Sequence, residues 1–388
     1  MTYQDAHPTL SAARALQPDL RARAAEMDEV RRLPGDLART MAEGSLFRMV
    51  TPAAYGGLEC SPREIVETVE AVAEANASAG WCTMIGATTA LNAAYMAPDM
   101  AREVYSDPMT ITGGVFAPMG KAVVDGDDYV VSGRWQWGSG SANCAWLCGG
   151  AMIIEDGEMR RLPNGRPDAR MMVFPADEAE LIDTWHVMGL KGTGSGDIAV
   201  NKVRVPKARS VSLVTDRPQV EGALYAFPAF GLLSLGVAAA AMGNASGALD
   251  ALIILGKAKK NQGSAKTLGE RATVQAKTAE MQAAFRAARA YLFDEIDQTW
   301  DVAQANGEIP VERRAALRLA CTHMVRTGAE IARGCYDLGG GAALFESSDL
   351  QRRFRDGHAM TQHIVTAPAT WELLGRMAYD LPTDASMV

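Results

Sequence analysis

The order of residue textures along this 388-residue chain predicts an α+β protein, with helices first, a β module next and a helical bundle last. Three observations carry that expectation. Apolar residues recur at helical spacing in the first hundred residues. Residues that favour strands crowd between Ile111 and Val205. Ala- and Leu-rich helical periodicity then returns after residue 228. The strands come as a block, so an alternating βαβ sheet is not expected.

Leu10, Leu16, Leu20, Met27 and Val30 recur among Arg, Asp and Glu, which predicts helix over 9–47. Pro52-Ala-Ala-Tyr-Gly-Gly57 reads as a turn. Ser61-Pro62 opens the next helix, with Ser61 as N-cap, Pro62 in the first turn and Glu64 placed to complete a capping box. A further helix covers roughly 80–106. From about 109, Ile111, Val115, Val123, Val124, Tyr129, Val130, Val131, Trp135 and Trp137 favour strands, and Asp125-Gly-Asp-Asp128 is a hairpin turn. Strands follow at 145–154, 171–174 and 197–205, the last stopped by Pro206. Helices are expected at 230–256, 267–300 and 311–334, with two shorter ones after 347. The implied domains are 1–108 (helical), 109–215 (β) and 216–388 (helical bundle).

Hydrophobic content of 48% and charged content of 22% are ordinary for a globular chain. The net charge of −8 argues against a nucleic-acid partner, which needs a basic face. No apolar run is read as reaching the roughly 18 residues of a membrane span; the longest, from Phe230 to Met242, is short and rich in Ala and Gly. The start, Met-Thr-Tyr-Gln-Asp, has neither the basic nor the apolar part of a signal peptide. Cysteines 60, 82, 144, 148, 321 and 335 are scattered; Cys144 and Cys148 have no second pair, so no zinc site or other metal is expected. Reduced thiols in a cytoplasmic protein are the simpler reading.

Chemistry concentrates near the C-terminal end. Gly339-Gly-Gly341 precedes Gln351-Arg-Arg-Phe-Arg355-Asp356-Gly-His358, and His363 follows, so two of five histidines flank an Arg/Asp cluster. Elsewhere, Gly189-Leu-Lys-Gly-Thr-Gly-Ser-Gly196 is followed by a strand and not a helix, which excludes a dinucleotide fingerprint. A tight loop offering backbone N–H groups to a ligand stays open. Lys257 to Lys260 reads as a solvated face or a phosphate contact. No nucleophile elbow and no glycosidase carboxylate pair is found.

Pro52-x-x-Tyr-Gly-Gly57, Tyr129-Val-Val-Ser-Gly-Arg-Trp-Gln-Trp137-Gly-Ser139-Gly140, Trp185-x-x-Met-Gly-Leu-Lys-Gly-Thr-Gly-Ser195, and Gly339-Gly340 ahead of Arg355-Asp356 resemble the acyl-CoA dehydrogenase superfamily, in order and over nearly the whole chain. The resemblance implies an N-terminal helical domain, a central β-barrel-like domain, a C-terminal four-helix bundle, a bound flavin and a homotetramer. The dehydrogenase base, a glutamate nine residues after the Arg of the Arg-Asp pair, falls on Ile364; the alternative base position falls at Leu233 and Ser234. Neither supplies a carboxylate. The Thr-Glu-Pro signature is replaced by Phe116-Ala117-Pro118, and the usual arginine clamp on the flavin pyrophosphate by Lys259-Lys260-Asn-Gln-Gly263.

What remains is similar to the flavin-dependent, two-component monooxygenase branch: Gly133-Arg-Trp-x-Trp-x-Ser139-Gly140, Ala77-Ser-Ala-Gly-Trp81, and Arg355-Asp356-x-His358 through His363. This implies an oxygenase component that takes reduced FAD or FMN from a separate NAD(P)H:flavin reductase. With O2 it would form a C4a-hydroperoxyflavin and hydroxylate a small phenolic or indolic substrate. The implied flavin contacts are Phe116, Trp137, Ser139, Gly140, Gly339 and Gly340. Ser139 would hydrogen-bond flavin N5; its alternative is a plain turn residue. His363 would act as acid or base near neutral pH, with a surface histidine as its alternative; His358 is the lesser candidate, five residues earlier on the helix. Trp81 would wall the substrate pocket, or merely pack. Arg355-Asp356 reads as a structural ion pair. The rival functions are a dehydrogenase or flavin oxidase with a relocated base, and a non-catalytic flavin-binding protein.

Overall fold

The computed structural model describes residues 7–260, 263–305, 307–385 and 388. The leader expectation for residues 1–5, and Asn261 and Gln262 of the Lys259–Gly263 stretch, lie outside them. The stretch 9–47 is not one helix. It forms α1 (Pro8–Ala22), α2 (Ala24–Val30) and α3 (Gly35–Glu43), divided at Arg23 and then by the left-handed Arg31 and Pro34. A proline disfavours helical geometry in the residue before it, which outweighs the apolar periodicity here. Leu10, Leu16, Leu20, Met27, Leu37 and Met41 still form one core.

α4 (Pro62–Ala75) begins with the expected capping box: the Glu64 carboxylate accepts the Ser61 N–H at 2.8 Å, and the Ser61 hydroxyl accepts the Glu64 N–H at 3.3 Å. α5 (Ala77–Thr89) follows from an Asn76 cap and is buried nearly all round. The helix expected over 80–106 is divided: after α5 a 3-10 turn leads to α6 (Pro98–Tyr105), where Pro98 starts a new helix.

The β module is one mixed sheet. Its strands are β1 (Thr112–Asp125), β2 (Asp128–Trp135), β3 (Trp146–Glu155), β4 (Glu158–Met159), β5 (Ala169–Pro175), β6 (Glu180–Ile182), β7 (Asp197–Pro206) and β8 (Ser210–Val211). The order is β6-β7-β2-β1-β3-β5-β8, with β4 paired to β3. β1 and β3 run parallel, and the β1–β2 hairpin closes at Asp125 opposite Asp128. The β1–β3 register shifts between Val115 and Gly120, so Phe116 to Met119 bulge from the ladder. The Trp135 ring is fully buried and donates Nε1–H to the Gly150 carbonyl at 2.7 Å.

The rest is helical: α7 (Ala223–Ala226), α8 (Ala229–Ala258), α9 (Ala272–Gln304), α10 (Val311–Gly339), α11 (Asp349–Met360) and α12 (Pro368–Ala378). α8 corrects one sequence expectation, because it is long and apolar enough to cross a bilayer by length and composition. Burial explains that apolarity: α8 packs against α4, α5, α10 and α11. Its small residues let backbones approach, and a Cβ on Gly243 would stand 2.2 Å from the Glu70 carbonyl of α4.

Candidate active site

The strand-to-loop turn after β2 delivers Ser139. Trp137 before it and Gly140 after it both have positive φ, 70° and 71°. Such a conformation is strained for a tryptophan, and it leaves the indole 60% exposed. The turn is stitched to the 193–196 loop: Gly138 N–H donates to the Gly196 carbonyl (2.9 Å) and Gly140 N–H to the Thr193 carbonyl (2.8 Å).

Ser139 itself is buried and sits in a line of polar groups. Trp81 Nε1–H, from α5, donates to Ser139 Oγ at 3.0 Å. Ser139 Oγ lies 2.6 Å from Ser195 Oγ, and Ser195 Oγ lies 2.6 Å from Thr193 Oγ1. The Thr193 hydroxyl donates to the Leu190 carbonyl at 2.8 Å. Serine 195 and threonine 193 were missed as site residues. They stand inside a motif read for its glycines, and nothing local says that Ser195 meets a residue 56 positions away.

Four N–H groups of the glycine-rich loop are already taken up within the fold. Those of Thr193, Gly194 and Gly196 go to carbonyls of the same loop, and Leu190 N–H goes to Asp356 Oδ1 at 2.6 Å. Asp356 is buried on α11, which pushes its carboxyl up to about 6. Arg355 and Asp356 are not an ion pair with each other, since successive helix side chains point apart. Arg355 donates to the Met188 carbonyl (2.5 Å) and reaches Asp28 of α2 at 3.4 Å.

His363 caps the 3-10 turn after α11, with Nδ1 accepting the Val365 N–H at 3.4 Å. That long cap bond leaves the ring proton of the neutral imidazole on Nε2. Its ring meets the Trp81 indole edge-on, centroids 5.6 Å apart. Ser139 and His363, from opposite ends of the sequence, therefore touch the same tryptophan. Burial, and then the charge of Arg318, lower the His363 pKa to about 4. This corrects the expectation of a group titrating near neutrality: the imidazole is neutral at pH 7. Arg318 of α10 donates to the Val365 carbonyl (2.9 Å), and Arg326 to the carbonyls of Thr361 (3.1 Å) and Thr366 (2.9 Å). Both arginines pin the turn that carries His363, and both escaped the sequence reading.

The remaining candidates lie elsewhere. Phe354 stacks on Tyr336, the His358 ring lies tilted against Phe354 with centroids 4.5 Å apart, and His358 Nδ1 hydrogen-bonds the Phe354 carbonyl at 3.0 Å. Phe116, on the β1 bulge, packs edge-on against Phe230 of α8 with centroids 5.4 Å apart. The Gly339 carbonyl accepts Lys259 Nζ at 2.6 Å, and Gly340 takes φ 55° beside it. Lys259 follows the C-terminal end of α8, whereas α5 approaches α8 through Met84 at Gly236. At 1.5 Å per residue these points are about 35 Å apart, so within one chain the Gly339-Gly340 corner is not part of the Trp81 site. Ile364, at the dehydrogenase base position, is 81% exposed.

Cys144 donates to the Gly140 carbonyl, and Asn92 lies 3.8 Å from Cys148 Sγ. The cluster with metal-ligand chemistry among the described residues is His7, Cys60 and Glu64. His7 and Glu64 are occupied as helix caps, and burial holds the Cys60 thiol up at about 12.

The donor set fits a flavin ring. Ser139 Oγ keeps one lone pair after its bonds to Trp81 and Ser195, and the exposed Trp137 indole is a flat platform beside it. The chain is similar to known proteins over most of its length. Residues 9–104 match the model for the acyl-CoA dehydrogenase N-terminal domain, and residues 235–368 that for the C-terminal domain. Indole-3-acetate monooxygenase of Pseudomonas putida is 30% identical over 92% of this chain and 90% of its own. The flavin-dependent monooxygenase oxygenase subunit HsaA of Mycobacterium tuberculosis is 30% identical over 99% and 98%. The crystal structure of 3-HSA hydroxylase from Rhodococcus sp. RHA1 superposes with a TM-score of 0.91 at 27% identity, covering 99% of this chain and all of that one.

Proposed function

We propose the reaction below from the premise that the chain belongs to the acyl-CoA dehydrogenase superfamily, in its flavin-dependent monooxygenase branch. The protein is the oxygenase component of a two-component system. It accepts reduced flavin from a separate reductase and uses O2 to hydroxylate a small phenolic or indolic substrate. The observation that carries this reading is the meeting of Ser139 and His363 on the Trp81 indole, while Ile364, where a dehydrogenase holds its base, faces outward without a carboxylate.

Bound reduced flavin supplies the electrons that activate O2. The chain supplies the surroundings. Ser139 Oγ anchors the ring edge through its remaining lone pair. Trp137 offers the ring a stacking face. Trp81, only 6% exposed, excludes water and holds Ser139 and His363 in register. His363 holds a proton at Nε2, available to an oxygen on the reacting side. Acting as a base would require that proton to move to Nδ1 and the Val365 cap to break. The homotetramer is read from the family resemblance, and the neighbouring Leu344 and Phe345, 69% and 66% exposed, are apolar side chains that an assembly of copies would cover.

The test is anaerobic binding of reduced FAD and reduced FMN in parallel, followed by air and a panel of phenols and indoles, with hydroxylated product read by mass spectrometry. Product that depends on reduced flavin supports the proposal. Bleaching of an as-purified flavin by an acyl-CoA thioester would replace it with a dehydrogenase.

A further inference from the structure

The line of three hydroxyls and one carbonyl behind Trp81 has a direction. A carbonyl only accepts, so at 2.8 Å the proton between Thr193 Oγ1 and the Leu190 carbonyl comes from Thr193. That commits the single proton of Thr193, and Ser195 must donate across the 2.6 Å gap between them. The proton of Ser195 is then spent, and Ser139 must donate to Ser195 across a second 2.6 Å gap. Trp81 Nε1 is donor only, so it takes one lone pair of Ser139. No other assignment of these protons gives every short contact a hydrogen. Thr193, Ser195 and Ser139 are 1%, 3% and 5% exposed, so water does not scramble the order. The origin of the line is equally firm: Leu190 is held at φ 54° by the bond from its N–H to Asp356.

We infer that this directed line makes Ser139 Oγ a pure hydrogen-bond acceptor toward the flavin, and so sets the protein's preference for reduced over oxidised flavin. Thr193 and Ser195 are the positioning residues for that preference. The inference rests on the flavin-binding reading above. Reduced flavin carries a hydrogen on N5; oxidised flavin presents a bare lone pair there. An acceptor-only Ser139 matches the first and opposes the second. A serine free to rotate would serve both, donating to one and accepting from the other. The preference is useful to an oxygenase that borrows its flavin, because it admits the charged form and releases the spent one.

The experiment measures dissociation constants of oxidised and anaerobically reduced FMN and FAD for the wild type, Ser195→Ala, Thr193→Val and Thr193→Ser. Removing either hydroxyl frees the next proton in the line, so Ser139 regains its donor role. The ratio of oxidised to reduced dissociation constants falls about tenfold in Ser195→Ala and Thr193→Val, the weight of one hydrogen bond. Thr193→Ser keeps the hydroxyl and keeps the wild-type ratio. A purely structural role would weaken both forms together and leave the ratio unchanged, and that result overturns the inference. So does a Thr193→Ser ratio that follows Thr193→Val. If Ser195→Ala does not fold, Thr193→Val carries the same test. Wild-type protein that binds neither flavin form overturns the functional reading itself, whereas wild-type binding with unmoved ratios overturns only the role of the line.

Discussion

The neutral His363 can be tested by stability alone, with no substrate or cofactor. Its pKa is lowered from 6.5 to about 4 in the folded protein, by burial first and Arg318 second. A histidine depressed in this way costs stability as pH falls, because the unfolded chain takes up a proton that the folded protein refuses. At pH 7 the folded residue is neutral and the unfolded one is protonated in only about a quarter of chains. At pH 5 the unfolded state is almost fully protonated and the folded state hardly at all. Integrating between those two conditions gives about 2 kcal/mol lost from this residue. Asp356, raised by burial to about 6, works in the opposite sense, gaining stability as pH falls. It is present in both proteins of the comparison and cancels. Urea unfolding of wild type and His363→Gln at pH 7 and pH 5 isolates the histidine. Wild type should lose about 2 kcal/mol more than the variant on going to pH 5. Equal losses would mean that His363 titrates normally, and the neutral Nε2–H role would have to be abandoned.

Three further outcomes follow from the geometry. His363→Ala should abolish hydroxylated product, with reduced-flavin binding within about twofold of wild type, because its part is in the reaction and not in holding the flavin; unchanged turnover removes it from the mechanism. His358→Gln should leave turnover within about twofold, because its ring contact is with Phe354 and its Nδ1 is bonded to the Phe354 carbonyl; a loss as deep as that of His363→Ala would restore it as a candidate. Gly189→Ala should cost more than about 2 kcal/mol in urea unfolding, since its Cβ would stand 2.3 Å from the Arg355 carbonyl, a backbone atom that cannot step aside; a neutral substitution would show that the loop is not seated on α11.

Local signals were legible in the sequence, and long-range ones were not. The Ser61–Glu64 cap and the Asp125–Asp128 hairpin are decided by residues a few positions apart, and both form as their spacing predicts. Apolar periodicity predicts one helix over 9–47 because it survives across Pro34, while the helical backbone does not. At the site, residue types could be read but not their partners. Motif positions single out Ser139, His363 and the pocket-wall candidate Trp81, yet nothing in the sequence says that the first two meet on that tryptophan. The depressed pKa of His363 depends first on burial and then on Arg318, 45 positions earlier in sequence, and both arise only after α10 packs beside the turn. Only the motif joins the Gly339-Gly340 corner to the expected flavin contacts, and within one chain α8 separates it from the Trp81 site by most of its length.

The Arg355-Asp356 pair makes sense once its base is gone. In a dehydrogenase reading the pair marks the register of a glutamate that this chain lacks, and its purpose here would be obscure. The structure gives it different work. Arg355 grips the Met188 carbonyl and Asp356 the Leu190 N–H, so adjacent side chains that cannot face each other hold the two ends of one short segment. Gly189 between them has no room for a side chain. The left-handed Leu190 presents its carbonyl to Thr193, and from there the order of protons runs through Ser195 to Ser139. α11 also carries the chain directly into the turn of His363. One helix thus sets both groups that meet on Trp81, one through a loop it clamps and one through its own C-terminal end. Loss of the carboxylate at Ile364 leaves that framework untouched, because the framework depends on where Asp356 points and not on what stands eight residues later.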